Sequence, residues 1–201
     1  MSHRTEVAPS NRLEAFSDGV FAIIITIMVL GIHTPAGHHF SDLTQLRPVF
    51  LSYLMSFIYV IIYWNNHHYL LRTLERPTGL TMWANSNLLF WLSLVPISTN
   101  WLGTSGGAKA PAAVYGITLL MPAISYTLLQ ISIIKSHGEE SALRKAVGRD
   151  LKGKLSITFY IAAIGVSFLL PVIAYILYAA VAIMWVIPDR RITEKLNEEH
   201  H

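Results

Sequence analysis

The sequence predicts an all-α integral membrane protein, with six transmembrane helices in a single domain that spans residues 1–201. Three observations support this fold class. Hydrophobic residues make up 53% of the chain and charged residues only 13%, whereas soluble domains carry about 25% charged residues. Apolar runs recur along the whole chain, so they are not one cleavable signal peptide. The runs are also long enough to cross a bilayer at a rise of about 1.5 Å per residue.

The first predicted helix, about 11–32, carries the carboxylate of Asp18 close to one end. A carboxylate in an apolar helix costs about 2.5–3.5 kcal/mol to insert unless it faces protein or water. On a helical wheel, one face of this helix holds Gly19, Ile23, Thr26, Ile27 and Leu30. Ser17 and Asp18 lie well away from that face. Periodicity alone leaves two readings open, because the face could contact lipid or line a conduit.

Five further helices follow along the chain. They are predicted at about 47–71, 79–102, 111–135, 153–169 and 171–188. Pro171 is taken as the boundary between the last two, and Pro96 and Pro122 are expected to mark kinks. The glycine-containing segments 35–39 and 103–109 are predicted loops. The segment 136–154 is polar, and its residues 139–146 could form a short surface helix.

The basic residues predict the orientation of these helices. Of the 15 Lys and Arg residues, all but Arg47 and Lys109 fall on the side that holds both termini. Loops rich in Lys and Arg remain in the cytoplasm. We therefore expect both termini and the segment 136–154 to be cytoplasmic. An odd number of spans would place the Arg190–Arg191 pair outside, which favours counting Pro171 as a boundary.

Asp18 needs polar partners at its own depth in the membrane. The candidates lie mostly toward the same ends of the second and third helices, and the main ones are His67, His68, Asn85 and Asn87. A hydrogen-bonded structural network satisfies these groups where water is absent. The alternative is a proton relay between Asp18 and a histidine. The structural role is the preferred reading, because one carboxylate and one histidine pair do not make a continuous pathway.

Several classes of function find no support in the chain. There is no cysteine, which excludes disulfide and thiolate chemistry. No nucleophile elbow, zinc-protease motif or phosphate-binding glycine loop is present, so no enzyme and no cofactor are predicted. His33, His38 and His39 match no known metal-site spacing, and no metal site is predicted. The net charge of +3 is explained by topology, and nucleic acid is not an expected partner.

The first helix carries a specific resemblance. Arg12-x-x-x-Phe16-Ser17-Asp18, followed by Gly-Val-Phe-Ala-Ile, resembles the signature of the transmembrane-protein-175 family of potassium channels. The length and the six-helix layout look like one subunit of a prokaryotic member. The resemblance implies a homotetramer in the prokaryotic inner or plasma membrane, in contact with lipid. Four first helices would line a central pore that conducts potassium and other monovalent cations.

Site residues follow from the same resemblance. It implies that Ile23 forms the constriction, with Ile27 and Leu30 toward the outside. Thr26 matches a hydroxyl position linked to potassium preference. The motif residues would hold the helices together, and they are Arg12, Phe16, Ser17 and Asp18. The shared wheel face of the three apolar residues agrees with this assignment.

The function predicted is therefore a passive, potassium-preferring cation channel with an apolar constriction. The alternative is a small proton-coupled secondary transporter that uses Asp18 and either His67 or His68. An apolar ring provides no cage of carbonyl oxygens to replace the hydration shell of an ion. The chain thus gives no physical reason for a large potassium-to-sodium selectivity.

Overall fold

The computed structural model describes residues 9–74, 76–137 and 150–186, and these residues are helices and connecting turns without any strand. Seven α-helices and one 3-10 helix occur in this part of the chain. In order they are α1 (Pro9–Leu30), a 3-10 helix (Phe40–Leu46), α2 (Arg47–Arg72), α3 (Gly79–Ser93), α4 (Val95–Thr104), α5 (Lys109–His137), α6 (Leu151–Ser167) and α7 (Pro171–Val186). The predicted all-α fold is confirmed. Together, α3 and α4 occupy the range of the predicted third helix.

Three of these helices are long and apolar enough to cross a membrane by length and composition. They cover Ser10–Leu30, Phe40–Arg72 and Lys109–Ser136. Helix α7 is apolar but shorter, and α6 has 17 residues. The placement of α3, α4, α6 and α7 across the membrane stays a prediction.

The predicted third helix is broken at Leu94, where the sequence led us to expect a kink. The amide of Leu94 donates to the carbonyl of Trp91 at 3.2 Å, which is the closing turn of α3. Pro96 follows in the first turn of α4. A proline has no amide hydrogen, so it is tolerated in a first helical turn but interrupts a helix that runs through it. Pro122 behaves differently, because α5 continues through it.

The connections differ from the prediction in one element. The 3-10 helix Phe40–Leu46 was not expected, and the Asp42 carboxylate stabilises its start by accepting the His39 amide at 2.9 Å. The turn after α4 uses Gly106 and Gly107 at φ of 62° and 88°, conformations that glycine adopts without a steric cost. As predicted, a helix begins at Pro171. The predicted surface helix at 139–146 lies outside the described residues.

The buried side chains form two apolar clusters. The first joins α1 to α2, α3 and α5 and includes Phe21, Ile24, Leu88 and Ile133. The second joins α2, α5, α6 and α7 and is built around Tyr59, Tyr115, Tyr160 and Tyr178. Helix α1 packs against α2, α3 and α4. It therefore lies on one flank of the bundle, with part of its circumference left uncovered.

Candidate functional site

One face of α1 is anchored in its own subunit. Its residues follow the spacing of one side of a helix, each is less than a twentieth exposed, and they are Ser17, Phe21, Ile24 and Met28. Burial of apolar side chains at this spacing fixes the rotation of the helix about its axis. The opposite face is consequently directed away from the subunit.

The outward face is the one that the sequence predicted as pore-lining. Gly19, Ile23, Thr26, Ile27 and Leu30 are all exposed in the single chain. Ile23 is 58% exposed and Leu30 is 74% exposed. The Thr26 hydroxyl donates to the carbonyl of Ile23 at 2.8 Å, so its hydrogen is engaged and its oxygen can accept from outside the helix. We name these five residues the outer stripe of α1.

A buried chain of hydrogen bonds holds the first turns of α1 to α2 and α3. Ser17 Oγ donates to the carbonyl of Leu13 at 2.8 Å. Asn85 Nδ2 donates to Ser17 Oγ at 3.0 Å. Asn85 Oδ1 lies 2.6 Å from His67 Nε2. Because this oxygen can only accept, we infer that His67 carries its hydrogen on Nε2.

The orientation of His67 is set by this chain and by packing. The ring lies 5.5 Å from that of Phe21, centroid to centroid. His67 is fully buried, and its Nδ1 atom has no hydrogen-bond partner within the described residues. A second ring hydrogen would therefore be buried without an acceptor, which is costly. The geometry thus supports a neutral, structural histidine.

Asp18 has a different partner from the ones predicted. Its Oδ1 atom accepts the indole N–H of Trp64 on α2 at 2.9 Å. None of the four predicted candidates, His67, His68, Asn85 and Asn87, donates to Asp18 among the described hydrogen bonds. A tryptophan near the end of a span is typical of the membrane interface, so sequence reasoning did not single out Trp64 as a partner, although its indole N–H can donate to a carboxylate.

The remaining predicted partners lie elsewhere. His68 Nδ1 is 2.6 Å from Glu14 Oε1, one helical turn before Asp18. The His68 ring also stacks on Trp64 at 6.2 Å between centroids. Asn87 Nδ2 donates to Ser125 Oγ on α5 at 2.7 Å, away from α1. Glu14 was not predicted, although its spacing of four residues from Asp18 puts the two carboxylates on one face.

The motif residues separate into two groups. Ser17 and Asp18 make the contacts within the subunit described above. Arg12 and Phe16 are exposed, Phe16 at 61%, and Arg12 forms no ion pair with the described residues. The side chains of Arg12 and Phe16 are therefore available to contact another molecule or lipid.

The histidines of the first loop form no metal centre among the described residues. His33, His38 and His39 are all exposed. No group of three His, Cys, Asp or Glu side chains in this part of the chain is arranged to hold a metal ion.

Comparisons with known proteins point to one family. The profile described as the endosomal/lysosomal potassium channel TMEM175 matches residues 12–96. A potassium channel of Chryseobacterium sp. (strain P1-3) is 53% identical over 187 residues, which cover 93% of this chain and 97% of that protein. A potassium channel of Chamaesiphon minutus is 34% identical over 139 residues, covering 64% of this chain and 68% of that protein.

More distant relatives have different names. The human endosomal/lysosomal proton channel TMEM175 is 30% identical over 118 residues, which cover 53% of this chain but only 23% of the human protein. Among solved structures, the crystal structure of a lysosomal potassium-selective channel TMEM175 homologue from Chamaesiphon minutus superposes with a TM-score of 0.76 at 29% identity. The superposition covers 90% of this chain and 97% of the other.

Proposed function

The chain belongs to the TMEM175 family of channels, and from this premise we propose that it is a passive, potassium-preferring cation channel of a prokaryotic plasma membrane. As a member of this channel family with long apolar helices, it is an integral membrane protein. The observation that carries the proposal is the outer stripe of α1, which is apolar apart from the Thr26 hydroxyl and is uncovered by its own subunit.

A homotetramer is the assembly that we propose around this stripe. A single copy has one uncovered stripe and no conduit, whereas rotational symmetry brings identical stripes together around an axis. Potassium channels are the named function of the bacterial relatives. In this assembly, Arg12 and Phe16 are free to contact a neighbouring subunit, because neither is covered by its own.

The constriction of the proposed pore is a ring of Ile23 side chains, with Ile27 and Leu30 farther along the same stripe. Branched apolar side chains in close apposition exclude water, and a dewetted gap resists hydrated ions. The Thr26 oxygen is the polar group nearest to this ring on the stripe. Its engaged hydrogen leaves lone pairs that can face a cation.

A second candidate, proton permeation, is favoured by the human relative, the endosomal/lysosomal proton channel TMEM175. The proton-coupled transporter considered from the sequence would need a relay between Asp18 and a histidine. Asp18 shares its described hydrogen bond with Trp64, while His67 pairs with Asn85 and His68 with Glu14. This separation argues against a relay, so the second candidate is reduced to protons passing through the same pore.

Ion flux from liposomes tests the channel and its pore face. Purified protein should release potassium down its gradient, without stoichiometric coupling to protons reported by an internal pH dye. Ile23→Ser should raise the resting flux and reduce the preference for potassium over sodium, because a hydroxyl wets the ring. Native mass spectrometry should give four copies of the 22.5 kDa chain for each variant used.

Two matched substitutions serve as controls for this experiment. Ile25→Ser changes an α1 residue that packs toward the core, and Ile183→Ser changes an exposed residue of α7. Neither should alter ion preference. A wild-type flux and preference in Ile23→Ser, together with a strong change in Ile25→Ser, would show that the pore face is misassigned. Proton-coupled flux through the wild-type protein would show that the protein is a carrier and not a channel.

A further inference from the structure

A partly open cavity of about 60 Å³ lies between α2, α5, α6 and the end of α7. Its lining includes five aromatic side chains, which are Tyr59, Tyr63, Tyr126, Tyr160 and Trp185.

Among the described lining residues, Asp150 is the one that carries a charge. Its Oδ1 atom accepts the Gly153 amide at 3.1 Å, which caps α6 and leaves the negative charge at the wall. Aromatic faces carry negative potential and attract cations, an attraction that strengthens when the cation is desolvated. The Lys152 ammonium already lies 5.8 Å from the centroid of the Trp185 ring, so the tyrosine faces and the Asp150 carboxylate are the groups that favour a cationic ligand.

Gln130 is a second, independent indication of a ligand. Its side chain is only 8% exposed and lines the cavity. No hydrogen bond to its amide occurs within the described residues, so the amide is available to a ligand in the cavity. The neighbouring polar groups on α2 and α5 are already engaged with backbone carbonyls. Asn66 donates to Ile62 at 2.7 Å and Thr127 to Ala123 at 3.0 Å.

We propose that this cavity binds a compact organic cation, a quaternary or protonated amine of about five non-hydrogen atoms. The aromatic walls hold the methyl or methylene groups, Asp150 balances the charge, and Gln130 accepts an ammonium N–H where the ligand has one. The site is separate from the proposed pore, because the described lining residues come from α2, α5, α6 and α7 or directly precede α6 and none lies on α1. It therefore does not depend on the assignment of α1.

Calorimetric titration of the purified full chain with tetramethylammonium tests the site. We expect a Kd of roughly 1 mM or tighter, within the limit for so small a ligand, and no binding of neutral tert-butanol at the same concentrations. Asp150→Asn should weaken tetramethylammonium binding roughly tenfold, because the charge is lost while asparagine still caps the helix. Ala123→Leu should abolish binding by filling the cavity.

Each variant has a matched control. Asp42→Asn removes another capping carboxylate, in the first loop, and Ala162→Leu adds the same volume at an exposed position of α6. Both should bind as the wild type does, and so should Ile23→Ser. Loss of binding in Ile23→Ser with wild-type affinity in Asp150→Asn would assign the cation to the pore and overturn the proposal. Absence of binding to the wild type, or equal binding of tert-butanol, would also overturn it.

Discussion

Glu14 and Asp18 are one turn apart on α1, and His68 and Trp64 are one turn apart on α2. Because the two helices run antiparallel, the pairs Glu14–His68 and Asp18–Trp64 meet in register. Ser17, on the adjacent face, reaches Asn85 of α3 instead. Neighbouring residues of one motif thus contact different helices, since each step along α1 turns the side chain by about 100°.

The contact between Asp18 and Trp64 is expected to be structural. Asp18→Ala should lower the free energy of unfolding in detergent micelles by about 1–2 kcal/mol, because the indole N–H loses its acceptor. Asp18→Asn should cost less, since the amide oxygen can still accept. Trp64→Phe should cost about as much as Asp18→Ala. The double variant should cost less than the sum of the two single changes.

Trp101→Phe is the control for this comparison of single and double variants. The Trp101 indole is 47% exposed and makes no described hydrogen bond. It should have little effect on stability. If Asp18→Ala assembled with normal stability and changed only ion selectivity, the carboxylate would belong in the pore. Additive energies in the double variant would show that the two side chains do not interact.

At the scale of elements, close approaches between helices depend on small residues. A Cβ atom on Gly103 of α4 would lie 2.7 Å from Val49 Cα of α2, whereas a Cβ atom on Gly165 of α6 would meet nothing within 4 Å. The sequence predicts a loop at Gly103 and a helix at Gly165, and neither setting indicates which glycine lies at a close contact between helices. Only the packing distinguishes the one that lets two backbones approach.

This difference predicts that alanine changes the stability of the protein in opposite directions at the two glycines. Gly103→Ala should destabilise the protein by about 1–3 kcal/mol, because the added methyl group would force α2 and α4 apart. Gly165→Ala should be neutral or stabilise by up to about 1 kcal/mol, as alanine is the better helix former. Thermal unfolding of both variants in one detergent checks the prediction. A destabilised Gly165→Ala beside an unchanged Gly103→Ala would contradict the packing of α4 on α2.

At the scale of the whole molecule, orientation follows from charges spread over many connections. Some of the basic residues that predict cytoplasmic termini, among them Arg4, Arg144 and Arg190, lie outside the described residues. Within the described part, Arg76 before α3 and Lys109 at the start of α5 lie at opposite ends of the α3–α4 segment. If α3 and α4 together form one span, as the sequence predicts, these two residues lie on opposite sides of the membrane.

Site-directed labelling tests this orientation, and the absence of native cysteine makes it simple. A single cysteine in place of Lys109 should react with a membrane-impermeant maleimide in intact cells. A single cysteine in place of Arg76 should react only after the cells are opened. Reaction of both residues from the same side would show that the α3–α4 segment does not cross the membrane as one span.

The sequence by itself determined the membrane class, the positions of the helices to within a few residues, and the two faces of α1. These properties are local, because hydropathy and its periodicity belong to each segment alone. It also carried the motif that points to the family, while the pore-lining role of the outer stripe stays a prediction.

Only the tertiary structure decided which side chains meet. The Trp64 partner of Asp18, the Ser17–Asn85–His67 chain, the close contact at Gly103 and the aromatic cavity each join residues from different helices. In an apolar medium many polar groups compete for the same partner, and their chemistry alone does not rank them. The helix register and rotation bring one donor within reach of each acceptor, and these are set by the packing of the whole bundle.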